Sequence, residues 1–350
     1  GYFITNGSGA TIAGTSPTDL TSTGVTAAVH YHIPSATITS SGGRMTSITD
    51  LKGLANASEG SAGVGPLDRT DTEGLRVASF RGAEWMSIAD TLVWDTRAHT
   101  VFMVMRQPWA ANGRNRCFIS QGRNANSPPL TGYGPLATQG TINQAPHLVG
   151  NNITTKAHAN HVNMVVGAQI QVIGVNSRPT ASGAQRLYVN EQTADVVQIP
   201  VSITGITGGE IGRYAYTPDV TTRWAEMDLY EVIIITGVLT NTQSDAVAAA
   251  IVANWGITPI TNQVLIDGDS LNAGIQVVPS NAKSIWGYNS MAQLLTDRGS
   301  ASCLPRNTRV VNISIGGSKI ANVTTRRDAA NSMYGEILAG SNVYVWQLGT

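Results

Sequence analysis

Residues 224–257 read WAEMDLYEVIIITGVLTNTQSDAVAAAIVANWGI, and this stretch decides the fold. Residues 224–235 predict a long strand, which alternates at first and then becomes continuously apolar. Thr240 and Gln243 match a capping box, in which Thr240 caps the first free amides and Gln243 reaches back to the backbone. A helix then follows through the apolar run 246–252. It ends at Gly256, because Gly256 suits the position after a helix and Pro259 opposes continuation. We therefore place a domain boundary at 256–262.

The region before this helix predicts an all-β sandwich. From residue 25 onward, short apolar runs are separated by turn signals. The run 100–105 is apolar on both faces, which is typical of a strand buried on both sides. The hairpin 188–192 places Asn190 near its turn. Further predicted strands are 117–119, 162–166, 170–175 and 186–189. We interpret residues 1–24, rich in Gly, Ser and Thr, as a connector or an edge segment.

Several pieces of this region resemble the concanavalin A-like (laminin-G-like) jelly roll. The first is SGGRMTSITD at 41–50, followed by Phe80-Arg81-Gly82, 229–234 and the helix end at 254–257. The chain departs from the common pattern at 52–56. The resemblance covers 25–257 and implies a domain that is a lectin, a carbohydrate-binding module or a spacer. A fold of this kind does not by itself supply a function.

The motif that carries chemistry is VLIDGDSL at 264–271, an apolar strand that ends in Gly268-Asp269-Ser270-Leu271. A nucleophilic serine benefits from a sharp turn between a strand and a helix. The turn exposes its hydroxyl, and free backbone amides there stabilise an oxyanion. A helical segment around 285–295 is expected to complete this arrangement. An ordinary turn at a strand end is the alternative interpretation of the motif alone.

Two later blocks make the stretch resemble the front half of an SGNH/GDSL-type hydrolase. VVNISIGGS at 310–318 and VYVWQLGT at 343–350 are apolar strands that follow in the family's order. The resemblance implies a partial α/β, flavodoxin-like domain at 258–350, with Ser270 as nucleophile. It assigns an oxyanion-hole amide to Gly317, with Gly316 as the next candidate, whereas Asp269 shapes the turn. No cofactor or metal is implied.

The family's third and fourth blocks are incomplete in these 350 residues. The sequence stops one residue before the expected oxyanion-hole asparagine, and no Asp-x-x-His follows. A serine without a base is a poor nucleophile. We therefore expect the 350-residue chain to be almost inactive alone, and the natural polypeptide to continue. All six histidines precede residue 258: His30, His32, His99, His147, His158 and His161.

Other residues allow a binding interpretation beside a structural one. His30 and His32 share a strand face, and His158 and His161 are spaced i, i+3, but satisfied or solvated histidines are favoured over metal ligands in both cases. The acidic run 68–73 lacks the regularity of a calcium loop. Cys117 and Cys303 are interpreted as two separate thiols. A sugar-stacking platform could be drawn from Trp85, Trp94, Trp109, Trp224 and Tyr133.

Composition narrows the functional classes. Charged residues make up 13% of the chain, with 22 basic and 22 acidic residues. A neutral chain without basic runs argues against nucleic-acid binding, and no apolar run is long enough for membrane insertion. The polar, weakly charged composition suits an extracellular or virion-surface protein.

Together these features predict a carbohydrate-directed serine esterase, such as a polysaccharide O-deacetylase, with a glycan-binding or spacer sandwich. The alternative is a non-catalytic phage tail fibre or other surface protein whose sandwich binds a receptor glycan. A homotrimer would suit such a fibre.

Overall fold

The computed structural model describes most of the N-terminal two thirds of the chain and selected strands beyond it. The described residues are 13–71, 74–95, 98–106, 118–121, 132–136, 147–151, 156–163, 170–178, 185–190, 192–196, 205–213, 225–257, 261–268, 276–278, 283–285, 308–312 and 340–347.

These residues are mainly β, as the sequence predicts. The first strands are β1 Val29–His32, β2 Ile38–Ser41, β3 Arg44–Ile48, β4 Ala57–Glu59, β5 Leu67–Thr70, β6 Arg76–Arg81, β7 Met86–Trp94, β8 His99–Arg106 and β9 Ile119–Gln121. Then come β10 Gly132–Leu136, β11 His147–Asn151, β12 Lys156–Asn163, β13 Gln171–Ser177, β14 Gln185–Val189, β15 Gln192–Val196, β16 Ile206–Ile211 and β17 Glu226–Thr236. A 3₁₀ turn spans Thr21–Thr23, and helix α1 spans Asn241–Asn254.

Strands β1–β17 form two antiparallel layers. Sheet I has the order β5, β6, β17, β8, β13, β14, β15, and β1 lies beyond β6 along the same side of β17. Sheet II has the order β2, β3, β4, β7, β16, β9, β10, β11, β12. Among the described residues, the two layers are connected where Arg44 of β3 pairs with Leu67 of β5.

The main core lies between the two sheets. Inward-facing residues of sheet I, such as Met103 and Val232, pack in one cluster with residues of sheet II, such as Ile88 and Ile211. Alternation along each strand explains this layer, since successive side chains point to opposite faces. The predicted sandwich is therefore confirmed as a mainly β, two-layer arrangement.

Sheet I is also covered on its outer face, which explains its continuously apolar strands. Phe102 and Ile233 point outward and pack in a second cluster with Val247, Ile251 and Trp255 of the helical segment. All eight residues of β8 are buried. The prediction that 100–105 is buried on both faces is confirmed.

The boundaries of α1 match the sequence signals. The side chain of Thr240 accepts from the amide of Gln243, and Gln243 accepts from the amide of Thr240, so the capping box is complete. Trp255 is the C-cap, and Gly256 follows it at φ 57°, a conformation that favours glycine. The hairpin also agrees, because Val189 pairs with Gln192 and Asn190 has φ 54°.

The segment before β1 is held against the end of α1. The amide of Gly14 donates to the carbonyl of Asn254 (3.1 Å), and a Cβ at Gly14 would lie 2.2 Å from the indole of Trp255. The side chain of Asn254 donates to the carbonyl of Ser16 (3.0 Å). The first described residues therefore lie beside the C-terminal end of α1, where the chain leaves the sandwich.

A separate small sheet, sheet III, follows the sandwich. It consists of β18 Asn262–Gly268, β21 Thr308–Asn312 and β22 Asn342–Gln347. A detached hairpin joins β19 Gln276–Val278 to β20 Lys283–Ile285. Ile285 ends this hairpin strand, so the expected helical segment does not start there. Residues 286–295 lie outside the described part of the chain.

Within the part of the chain that the structure describes, no helix has the length and apolar character required to cross a membrane.

A buried histidine makes the sandwich sensitive to acid. His99 is fully buried; burial lowers its pKa from 6.5 to about 4, although Nδ1 donates to the carbonyl of Asp95 (2.7 Å), which opposes the shift. Between pH 6.5 and pH 4, His99 is protonated in the unfolded chain but stays neutral in the folded chain. Stability therefore falls as the pH drops from about 6.5 to about 4, by about 3 kcal/mol for this one group.

We expect urea unfolding to show this loss between pH 7.5 and pH 4.5, and His99→Gln to remove much of the dependence. The comparison uses the change in unfolding free energy between the two pH values, so a general destabilisation by the substitution does not affect it. An unchanged pH dependence in His99→Gln would contradict the assignment.

Candidate active site

The candidate site lies at one edge of sheet III, whose three strands are parallel. β18 is central, with β21 on one side and β22 on the other. Val264 and Leu265 point to opposite faces of β18, and both are buried. The order across sheet III is β21, β18, β22, so the strand that comes first in the sequence lies in the centre.

The carboxyl ends of parallel strands meet at one edge of a sheet. Here that edge is formed by Gly268, Asn312 and Gln347. Asp269 and Ser270 follow Gly268 directly in the sequence, and Gly317 comes five positions after Asn312. Asp269, Ser270 and Gly317 lie outside the described residues, and their catalytic roles stay predictions.

The opposite edge shows how β22 is held beside β18. The amide of Ser341 donates to Oδ1 of Asn262 (2.8 Å), and the amide of Gln263 donates to the carbonyl of Ser341 (2.8 Å). A Cβ at Gly340 would lie 2.3 Å from Asn262 Oδ1 and 2.7 Å from the carbonyl of Thr261. Glycine at 340 is thus required for this close approach.

His30 and His32 are held in a polar network on the outer face of sheet I, as the structural interpretation predicts. Nε2 of His30 donates to Glu231 Oε1 (2.6 Å). Nε2 of His32 donates to the carbonyl of Gly14 (3.0 Å), and its Nδ1 lies 2.7 Å from Ser35 Oγ. Burial lowers the pKa of His32.

Glu231 is the centre of this network. Its carboxylate also accepts from the amide and hydroxyl of Thr18 (both 2.8 Å) and from Nε1 of Trp255 (2.6 Å). Burial raises the pKa of Glu231, but the bonds from His30, Thr18 and Trp255 outweigh burial and lower it overall. The arrangement joins the N-terminal segment, β1 and the end of α1, and is structural.

A second buried carboxylate, Asp228, lies between two arginines. Its oxygens are 3.1 Å from NH2 of Arg81 and 3.1 Å from NH2 of Arg106, and the hydroxyl of Ser79 also donates to it. Burial raises the pKa of Asp228, yet the two guanidinium groups outweigh burial and lower it. Asp228 and Glu231 were not singled out from the sequence, although a carboxylate inside an apolar strand is a signal that it needs partners.

The two described carboxylates of the acidic run, Asp68 and Asp71, are both bonded to protein groups. Both oxygens of Asp68 accept from Arg76, at 2.8 and 2.6 Å, and Asp71 accepts from the hydroxyl of Tyr230 (2.9 Å). The guanidinium of Arg76 lowers the pKa of Asp68. Among the described residues, no group of three or more His, Cys, Asp or Glu side chains could hold a metal ion.

The two described tryptophans of the predicted sugar platform, Trp85 and Trp94, are not open stacking faces. The guanidinium of Arg213 lies 3.2 Å from the centre of the Trp85 ring, while Gly60 packs against the same indole. Trp94 is buried and donates from Nε1 to the carbonyl of Gly208 (2.9 Å). The remaining predicted residues, Trp109, Trp224, Cys117, Cys303 and the side chains of Tyr133, His147, His158 and His161, lie outside the described part.

No protein-family model matches the sequence, and no curated protein matches it. Among solved structures, domain 4 of AbnA, a GH43 extracellular arabinanase from Geobacillus stearothermophilus in complex with arabinotriose, is 12% identical. This match covers 64% of the present chain and 98% of that one, with a TM-score of 0.44.

Trypanosoma rangeli sialidase in complex with sialic acid is 8% identical over 65% of this chain and 33% of that chain, with a TM-score of 0.42. A GH54 α-L-arabinofuranosidase mutant is 11% identical over 60% and 51%, with a TM-score of 0.42. The chain thus spans about a third of the sialidase and about half of the arabinofuranosidase. At these scores the similarities carry no assignment of activity.

Proposed function

We propose that this chain is part of a serine ester hydrolase of the SGNH type that acts on an acylated polysaccharide. The observation that carries the proposal is the arrangement of sheet III. The strand that leads into Asp269-Ser270 is central and parallel to both neighbours, and the segments leading toward Gly317 and Thr350 leave from the same edge. A parallel sheet concentrates active residues at that edge.

In the proposed mechanism, the Oγ of Ser270 attacks the carbonyl carbon of an ester. The negative charge that develops on the carbonyl oxygen is stabilised by the amides of Ser270 and Gly317. A histidine takes the serine proton and passes it to the leaving sugar hydroxyl. Water then hydrolyses the acyl-serine by the reverse sequence. Asp269 shapes the turn and transfers no proton.

The proposal assigns the histidine and its orienting aspartate to no residue in the described part of the chain. Within that part, His30, His32 and His99 all make buried contacts in the sandwich. The substrate class and the extracellular or virion-surface location rest on the weakly charged composition and on the sandwich that precedes the site.

Release of acetate from acetylated xylan and from p-nitrophenyl acetate by the full-length protein tests the proposal. We expect acetate release that a fluorophosphonate inhibitor blocks, since such inhibitors react with activated serines. No hydrolysis of either ester, or hydrolysis that the inhibitor leaves intact, would overturn it.

A further inference from the structure

The outer face of sheet II carries a row of small polar side chains that crosses the strands. Direct cross-strand pairs connect Thr39 to Ser47, Ser47 to Ser58, and Ser58 to Ser87. The row continues through pairs of Ser87 with Glu210 and of Glu210 with Ser120.

The direction of these side chains follows from their neighbours. Ile48, Ala57, Met86, Ile88, Ile211 and Ile119 belong to the core between the sheets. Residues next to them in a strand point the other way. The row therefore lies on the face of sheet II that is turned away from sheet I.

The row is accessible at one end and enclosed at the other. Thr39 and Ser58 are exposed and Ser47 is half-buried, whereas Ser87 is 7% exposed and Glu210 is 3% exposed. At the enclosed end Glu210 binds Arg213 through two contacts of 2.5 and 2.8 Å, and Arg213 stacks on Trp85. Arg213 is thus fixed in place, with its charge balanced by Glu210.

Three hydroxyls in the row are available to a ligand. Within the described part of the chain, the side chains of Ser47, Ser58 and Ser87 make no hydrogen bond. Ser87 is only 7% exposed, but its hydroxyl is not among the buried side-chain atoms that lack a partner, so solvent, and therefore also a ligand, can reach this oxygen. Each of these groups can both donate and accept.

From this geometry we propose that the row is a binding face for a neutral polysaccharide chain that runs across the strands. Strands are ~4.8 Å apart, which is close to the length of one sugar unit in an extended chain, so the neighbouring strands β3, β4 and β7 each offer one hydroxyl per unit. The charges of Glu210 and Arg213 cancel, which favours an uncharged glycan. Among the described residues, none of the exposed large hydrophobic side chains belongs to the row, which disfavours a protein partner.

Affinity electrophoresis of the full chain in gels that contain xylan, arabinan, hydroxyethylcellulose or galactomannan tests this proposal, with alginate and hyaluronan as acidic comparisons. We expect at least one neutral polysaccharide to retard the protein. Ser58→Arg should weaken this binding at least tenfold, because it places a bulky charge in the row. Thr242→Arg, a change at another exposed position, on α1, should alter it less than twofold.

A triple change of Ser47, Ser58 and Ser87 to alanine gives a second reading without added bulk, and should weaken binding about tenfold. The proposal would be overturned if only acidic polysaccharides retard the protein, or if none of the gels does. It would also be overturned if Ser58→Arg and Thr242→Arg are retarded equally. Ser270→Ala should be retarded like the parent chain, so loss of the esterase proposal and loss of this one are distinguished.

Discussion

Ser270→Ala should lower kcat for ester hydrolysis by about a thousandfold or more in the full-length protein. The reason is that removal of Oγ leaves no atom to form the acyl-enzyme. The oxyanion-hole amides and the substrate contacts remain, so KM should change little. Initial rates of acetate release against substrate concentration measure both constants.

Ser341→Ala is the matched control, because Ser341 lies beside β22 at the opposite edge of the same sheet. Its backbone, and not its hydroxyl, makes the contacts with Asn262 and Gln263. Its kcat should stay within about twofold of the parent value. Comparable losses in the two variants would show that the effect is structural.

Asp228→Ala should destabilise the sandwich by about 3–5 kcal/mol, because it leaves Arg81 and Arg106 buried without their shared carboxylate. Both guanidinium groups are buried, so water cannot replace the lost partner. The midpoint of urea unfolding at pH 7, followed by circular dichroism, measures the loss.

Asp195→Ala provides the comparison for an exposed carboxylate. The side chain of Asp195 is 45% exposed and lies 3.2 Å from Arg186. Its loss should cost less than about 1 kcal/mol, since solvent screens such a pair. Equal costs for the two aspartates would contradict the view that burial gives the Asp228 cluster its importance.

The local sequence signals predicted helix α1 and four strands of sheet I, namely β8, β13, β14 and β17. The capping box at Thr240 and Gln243 and the turn at Asn190 depend on neighbours a few residues apart, and both are confirmed. The covering of both faces of sheet I also follows from the continuous apolar run of β8.

Long-range register could not be predicted in the same way. A shift between Leu229 and Glu231 in the pairing of β17 with β8 puts both Tyr230 and Glu231 toward the outer face. No local pattern indicates such a bulge. The row on sheet II could not be predicted for the same reason, because Ser58 and Ser87 become neighbours only through the long-range pairing of β4 with β7.

The candidate active site was recognised from three short strings, and only their strands are described. The parallel pairing of β18, β21 and β22 matches the expected parallel sheet, but the described residues of 258–350 contain no helix, so the expected α/β character of this region is not supported. The roles of Ser270, Gly317 and Asp269 depend on residues that follow those strands. The hairpin of β19 and β20 was not predicted, because the run from 276 to 285 is short and carries no clear turn dipeptide.

The central claim is that Ser270 is an activated nucleophile, and peptide mass spectrometry after reaction with a fluorophosphonate tests it most directly. The full-length protein is labelled in its folded state, with a heat-denatured sample as the control. We predict one adduct per chain, on the peptide that contains Ser270, and none in the denatured sample. Labelling of another serine, or no labelling while ester hydrolysis proceeds, would contradict the account.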